Sequence, residues 1–388
     1  MDLSALIQSV PKLSKEFMSS YCIVNGDIVR LDELQNMGYK EFALRSKLNM
    51  PLKLYKYYPN VIKDENGEKR NFSIEALENN TVFLQTPVAF DDVYDSDINI
   101  EWQEYEKLRL SEYCKRCKIF VEEKDTTENL GNKLLSKLLE TYSMSGNFEN
   151  VFVAQPKNEI EKLANEQFIL RVVCELQTSN DLGVAVAKTI QIEYNEYVQQ
   201  LKNTFRTACF TTTPYSQLMW GGAYADFHKG FCIEYTVLPN DIRYQDIYYN
   251  LFPLIYCKIR PNMTNRLVEY KDKNPTLENL WDIYYHGALR KSIDWAFQNE
   301  WRLILPPNYT NLKESNYKID FFPITKVFLG NRMSSDKRKE IIEICNRKTI
   351  PYVGVSRSQE FFEMQDCKIK CENCDRYTYF NTPDNKNI

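Results

Sequence analysis

The chain has 388 residues, of which 43% are hydrophobic and 26% charged, the balance of a globular protein long enough for two domains or for one with large insertions. A formal net charge of −4 gives no overall basic field, so a nucleic-acid partner would need a local basic patch. Glycine is scarce, at 12 against 21 Phe and 26 Tyr, and neither GxGxxG nor GxxxxGK[ST] occurs, which argues against a phosphate-cradling loop.

No apolar run reaches the roughly 18–20 residues that a membrane span needs. The opening "MDLSALIQSVPKLSKEF" lacks the basic segment of a secretion signal. Eleven Cys, an odd number, then read as free and mostly buried thiols in a reducing compartment. The expected location is the cytoplasm, with no membrane partner.

Residues 1–50 carry apolar positions at helical spacing. "LKLYKYYP" (52–59) reads as a short strand closed by proline. "FSIEALENN" (72–80) reads as a short helix capped by Ser73 and closed by Asn79–Asn80. "TVFLQTP" (81–87) is a strand stopped by Pro87. From 101 to 206 four charged stretches place apolar residues at i, i+3 and i+4, the pattern of a helical insertion or a second layer. β texture returns in "TACFTTTP" (207–214), "GFCIEYTVL" (230–238) and "LIYCKI" (254–259). A helix over 277–293, strands at "EWRLILPP" and 324–330, a helix over 334–347 and a strand at 351–357 complete the reading.

The predicted class is α+β: a mixed or antiparallel β core from 51–100 and 207–357, interrupted by the helical insertion 101–206. An N-terminal helical segment (1–50) and a Cys-containing tail (358–388) flank it.

Four constellations carry chemistry. Asp91, Asp92, Asp95 and Asp97 could hold a divalent cation through oxygen ligands, although the spacing is not that of an EF-hand; as plain polypeptide they form a solvated turn. Cys114 and Cys117, with Cys367, Cys371 and Cys374, offer CxxC spacings that would bind zinc if four thiolates converged. In "CFTTTPYSQLMWGGAYADFHKGFCIEY" (209–235), Thr211–Thr213 supply hydroxyls at a strand end, Met219, Trp220 and Tyr224 an apolar patch, and His228 one of two histidines in the chain. In "DWAFQNEWRLILPP" (294–307), Gln298 and Glu300 stand at i and i+2 at the mouth of a strand and are expected to project to one side of it. A Glu at a strand mouth beside an amide suits stabilisation of an oxocarbenium-like transition state. Pairing of Glu300 with Arg302 or a lysine is the structural reading of the same residues.

"LYKYYP", "SIEALENNTVFLQTPVAFDDVYDSD", the 209–235 block, "FQNEWRLIL" and "VFLGNRM" together resemble a bacterial domain family of unknown function often found with abortive-infection genes. The resemblance covers about half the chain, 52–98 and 207–333, and departs where the family's FNDPFD reads FDDVYD and its E.E reads Gln298-Asn299-Glu300. "QNEWRLILPP" is also similar to the Gln/Glu-x-Glu strand of ADP-ribosyltransferases. That similarity implies an NAD cofactor, Glu300 on the nicotinamide-ribose hydroxyl and Gln298 toward the acceptor. Thr211 and Thr213 match the Ser-Thr-Ser strand, Lys56 or Tyr57 stands where an Arg or His is usual, and Trp220, Tyr224 and His228 would surround the pocket. The resemblances imply a phage-defence or toxin-like protein that uses NAD either for ADP-ribosyl transfer, to a macromolecular acceptor among others, or for simple NAD hydrolysis. A metal-dependent nuclease using Asp91, Asp92, Asp95 and Glu300 is the alternative, and a non-catalytic sensor or interaction module the third.

Overall fold

The computed structural model describes residues 19–61, 63–65, 68–90, 92–156, 159–272, 277–305 and 318–367. The fold is α+β, with mixed sheets and, among the described residues, no closed barrel. It divides into two units: Met1–Asp95 with Asn203–Ile259 and Leu289–Ile388, and Ser96–Lys202 with Arg260–Ala288. The helical unit therefore draws on two chain segments. The predicted insertion 101–206 covers the first; the second, with helices Thr264–Asp272 and Leu277–His286, falls within the segment assigned to the β core.

The described part of the first unit opens on a hairpin, β1 (Tyr21–Val24) and β2 (Asp27–Arg30), where the 1–50 segment predicts helix. Asn25 and Gly26 both adopt positive φ, 52° and 87°, the requirement of a tight type I′ hairpin turn. Helices Leu31–Asn36 and Tyr39–Leu48 follow. Next come β3 (Lys53–Tyr58) and the small ribbon β4 (Lys63–Glu65) and β5 (Glu68–Arg70). Helix Phe72–Asn79 is capped by Asn71, not Ser73: the Asn71 side chain accepts from the Ser73 and Ile74 amides at 3.2 Å, while Ser73 Oγ donates to Pro59 O. Asn71→Ala is expected to cost about 1 kcal/mol by urea denaturation; an unchanged midpoint would count against the cap. Asn80 closes the helix in the left-handed region, φ 53°.

β6 (Thr81–Phe83) leads out of this helix. After the helical unit come β7 (Arg206–Thr211), β8 (Phe231–Thr236), β9 (Leu251–Pro253), β10 (Ile255–Cys257), β11 (Arg290–Ser292), β12 (Glu300–Leu305), β13 (Lys318–Asp320), β14 (Ile324–Leu329), β15 (Tyr352–Arg357) and β16 (Met364–Asp366). The main sheet runs β16-β15-β14-β8-β3-β7-β12-β9, antiparallel except for β14 with β15. A second sheet runs β11-β10-β1-β2.

One face of the main sheet packs Leu54, Tyr58, Phe210, Tyr235, Trp301 and Leu303 into an apolar core. All six residues of β12 are buried, so its opposite face is covered as well. Strand alternation then forces Glu300 and Arg302 into the interior on the side away from Trp301 and Leu303.

The helical unit contains Trp102–Arg116, Thr127–Ser145, Glu159–Ser179 and Leu182–Thr204, matching the four predicted stretches. Leu130, Leu134 and Leu138 line one stripe against Tyr113, Phe168 and Ile190. Glu193 is buried there between Arg109 and the Tyr113 hydroxyl. Among the described residues no helix is long and apolar enough to cross a membrane.

Candidate functional site

β12 enters the main sheet from a 3-10 turn, Ile293–Gln298, and Asn299 makes the transition at φ 40°. Gln298 therefore lies in the turn and Glu300 is the first residue of the strand. The i, i+2 alternation expected for Gln298 and Glu300 instead joins Glu300 to Arg302. The turn is held by Asn299, whose amide bonds Ala296 O and whose side chain bonds Thr212 Oγ1.

Arg302 is wholly buried, at 0% exposure. Its Nε donates to Glu300 Oε1 at 2.8 Å, and its two terminal nitrogens grip Asp95 Oδ1 and Oδ2 at 2.7 and 2.8 Å. Lys291, from β11, brings Nζ to 3.1 Å from Asp95 Oδ2, 3.5 Å from Glu300 Oε2 and 3.0 Å from Gln298 Oε1. Tyr256 accepts the Glu300 amide at 2.8 Å. Two carboxylates and two cations thus close into a buried network, its charges balanced one to one.

Burial alone would raise the Asp95 carboxyl, but Arg302 and Lys291 outweigh it and hold it at about 2. Burial opposes ionisation of Glu300 in the same way, and Arg302 followed by Lys291 brings its pKa below the usual range. Burial would lower Lys291, yet Glu300 and Asp95 leave it raised. All four groups are charged at neutral pH.

Thr211 is the register partner of Glu300 across β7 and β12, and Tyr55 pairs with Thr211 from β3. The Thr211 hydroxyl is buried and has no hydrogen-bond partner among the described residues. Lys56 points its ammonium to Cys209 O at 3.0 Å, and burial lowers its pKa against the pull of Cys209 and Glu300. Gln298 Nε2 donates to the Tyr224 hydroxyl at 2.6 Å, and Tyr224 is 37% exposed. A polar path thus runs from the surface at Tyr224 through Gln298 and Lys291 to Glu300.

The remaining predicted residues do other work. Tyr57 and Trp220 pack edge to face at 5.2 Å in an apolar cluster with Met219, Cys232 and Phe328. Trp220 is fully buried with its indole N–H on Pro214 O, so no ring face is left for a nicotinamide. Thr213 accepts the Tyr215 amide through its side chain and the Tyr57 hydroxyl through its carbonyl. His228 stands in a left-handed turn with a buried, unpartnered Nδ1, and burial followed by Arg332 lowers its pKa.

The aspartate run is divided. Asp91 lies outside the described residues; Asp92 Oδ1 accepts the Tyr94 amide. Asp95 binds Arg302, while Asp97 pairs with Arg260 and Lys202 in the helical unit. Cys114 and Cys117 are buried free thiols in the helical unit. Cys367 is disulfide-bonded, whereas the sequence favours free thiols over a disulfide framework; Cys371 and Cys374 lie outside the described residues. Among the described residues no group of three or more His, Cys, Asp or Glu is placed to hold a metal ion.

Sequence reasoning missed Lys291 and Tyr256. Both come from the second sheet, and no local pattern in β10 or β11 announces that they meet β12. No family model matches the chain, nor does any curated protein or solved structure.

Proposed function

We propose that the protein is a defence- or toxin-like enzyme that uses NAD⁺, either transferring ADP-ribose to a macromolecular acceptor or hydrolysing the glycosidic bond, with Glu300 as the catalytic carboxylate. The supporting observation is convergence: Asp95, Thr211, Tyr224, Gln298 and Glu300, from three distant motifs, gather around one strand end, whereas Lys56 lies on the core face of β3, its ammonium over the Tyr58 and Phe210 rings.

Arg302 anchors Glu300 by Oε1, and Lys291 stands at a looser 3.5 Å from Oε2. A ribose hydroxyl taking the place of Lys291 would bond Oε2, with the Thr211 hydroxyl beside it. The carboxylate would then face the positive charge that builds on the sugar as the bond to nicotinamide breaks. Gln298 and Tyr224, nearer the surface, would orient the acceptor or water. Glu300 is 5% exposed, so substrate reaches it when the Ile293–Gln298 turn swings outward.

A nuclease using Asp95 is less well supported, because Arg302 occupies both of its oxygens. A non-catalytic module is the second reading, favoured by the exact charge balance and deep burial of the network. Incubation with adenylate-labelled NAD⁺ and cell extract tests the choice. The expected result is label transfer or nicotinamide release, reduced at least about 100-fold in Glu300→Gln. Activity equal to wild type in that variant would remove Glu300 from catalysis. No turnover by the folded wild type would leave the module.

A further inference from the structure

Cys22 and Cys257 are direct register partners across antiparallel β1 and β10. Such partners share a face with Cα atoms about 4.5–5.5 Å apart, inside the range of about 4.4–6.8 Å that a disulfide spans. Arg290 pairs with Ile255 on the parallel neighbour β11, and its parity places it on the same face as Cys257. All three residues are buried. Among the described residues no carboxylate or carbonyl takes a hydrogen bond from the Arg290 guanidinium, and the group it acts on by hydrogen bonding is the Cys257 thiol. A guanidinium keeps its charge, so it would favour a sulfur anion formed at Cys257 or Cys22 beside it. Burial lifts Cys22 to about 11 and raises Cys257 too, while Arg290 opposes the rise at both.

We infer that Cys22 and Cys257 form a buried dithiol that hydrogen peroxide converts into a cross-strand disulfide, reversed by a dithiol reductant, with Arg290 steadying the attacking thiolate. One thiolate attacks the O–O bond, becoming a sulfenic acid; the hydroxide released takes up a proton and leaves as water. The second sulfur then displaces the sulfenic hydroxyl, which leaves with that thiol's proton as a second water. The two sulfurs are oxidised together by two electrons and the peroxide is reduced.

The next residue along each strand points to the opposite face and reaches the network. Tyr256 adjoins Cys257 and accepts the Glu300 amide; Lys291 adjoins Arg290 and contacts Glu300 and Asp95. Oxidation therefore acts on the strands that hold Glu300, a consequence that rests on the reading of Glu300 above, whereas the thiol chemistry does not.

Full-length protein is titrated with hydrogen peroxide, alkylated, and mapped by non-reducing mass spectrometry, with circular dichroism as the folding control. A linked Cys22–Cys257 peptide is expected, reversed by dithiothreitol, lost in Cys22→Ser and in Cys257→Ser, and retained when the exposed Cys174 is changed to Ser. Arg290→Met is expected to slow its formation roughly tenfold, the fall in thiolate for a one-unit rise in thiol pKa. Recovery of both cysteines as alkylated thiols after peroxide overturns the proposal. An unchanged rate in folded Arg290→Met overturns the part assigned to Arg290. Peptide mapping needs no NAD turnover, so the two proposals fail separately.

Discussion

Arg302→Met is expected to destabilise the β-rich unit by about 3–5 kcal/mol, the cost of removing one partner from a buried ionic network. Methionine fills the volume of the side chain but leaves Asp95 and Glu300 facing Lys291 alone. Two buried negative charges then share one cation. Arg302→Lys is expected to recover part of the loss, because an ammonium cannot grip Asp95 with two nitrogens while a third donates to Glu300. The pH dependence carries the same signature. Asp95 and Glu300 have folded pKa values below their unfolded ones. Their contribution is thus fully present above the ordinary carboxylate range and is lost as pH falls from about 4 toward 2. Urea melts of wild type between pH 7 and pH 3 should lose stability on the acid side, and Arg302→Met should show a weaker acid dependence. A cost under about 1 kcal/mol, or identical pH profiles, would mean the network is far more solvated than its burial indicates.

Particular residues mark how far the sequence carries. β12 is legible because "EWRLIL" is an apolar run whose two polar residues, Glu300 and Arg302, stand at alternate positions and so fall on one side. The four long helices were legible because their apolar spacing is sustained over several turns. The first hairpin was legible in principle: Asn25-Gly26 is the strongest two-residue hairpin signal, yet the surrounding helical spacing masked it. Gln298 failed for a local reason, since a left-handed Asn299 ends the turn and breaks the strand parity on which the i, i+2 argument depends. Trp220 failed for a tertiary one. Its composition suits a ligand pocket, but its burial is decided by β3 and β14, both distant in sequence. Lys291 and Tyr256 pair with each other across β11 and β10 of a separate sheet, and only assembly brings them to Glu300.

Gly330→Ala is expected to cost more than about 3 kcal/mol, above the usual overpacking range, because the obstacle is main chain rather than a movable side chain. A Cβ at Gly330 would lie 2.2 Å from His228 O and 2.7 Å from Gly230 O. Neither carbonyl can retreat: the Gly330 amide bonds Gly230 O, and the Arg332 amide bonds His228 O, both at 3.0 Å. Gly230 is equally tight, its Cβ position falling 2.2 Å from Tyr58 O. These contacts pin a strained segment. Asp226, Phe227 and His228 stand at φ 45°, 51° and 70° in succession, and each such non-glycine residue costs on the order of 1–2 kcal/mol. Three in a row persist because the His228 amide bonds Trp220 O, Gly230 bonds Ala225 O, and the Gly330 turn holds the far side. Pushing that turn outward releases the segment and, through Tyr224, the hydrogen bond that positions Gln298. Phe227→Gly should act in the opposite direction: its ring is exposed, and relief of the left-handed strain is expected to stabilise the fold by up to about 1 kcal/mol. Thermal and urea melts of the two variants test the pair. Opposite signs support a segment held under strain by close glycine contacts; a stabilising Gly330→Ala, or a Phe227→Gly that unfolds the protein, would reverse that account.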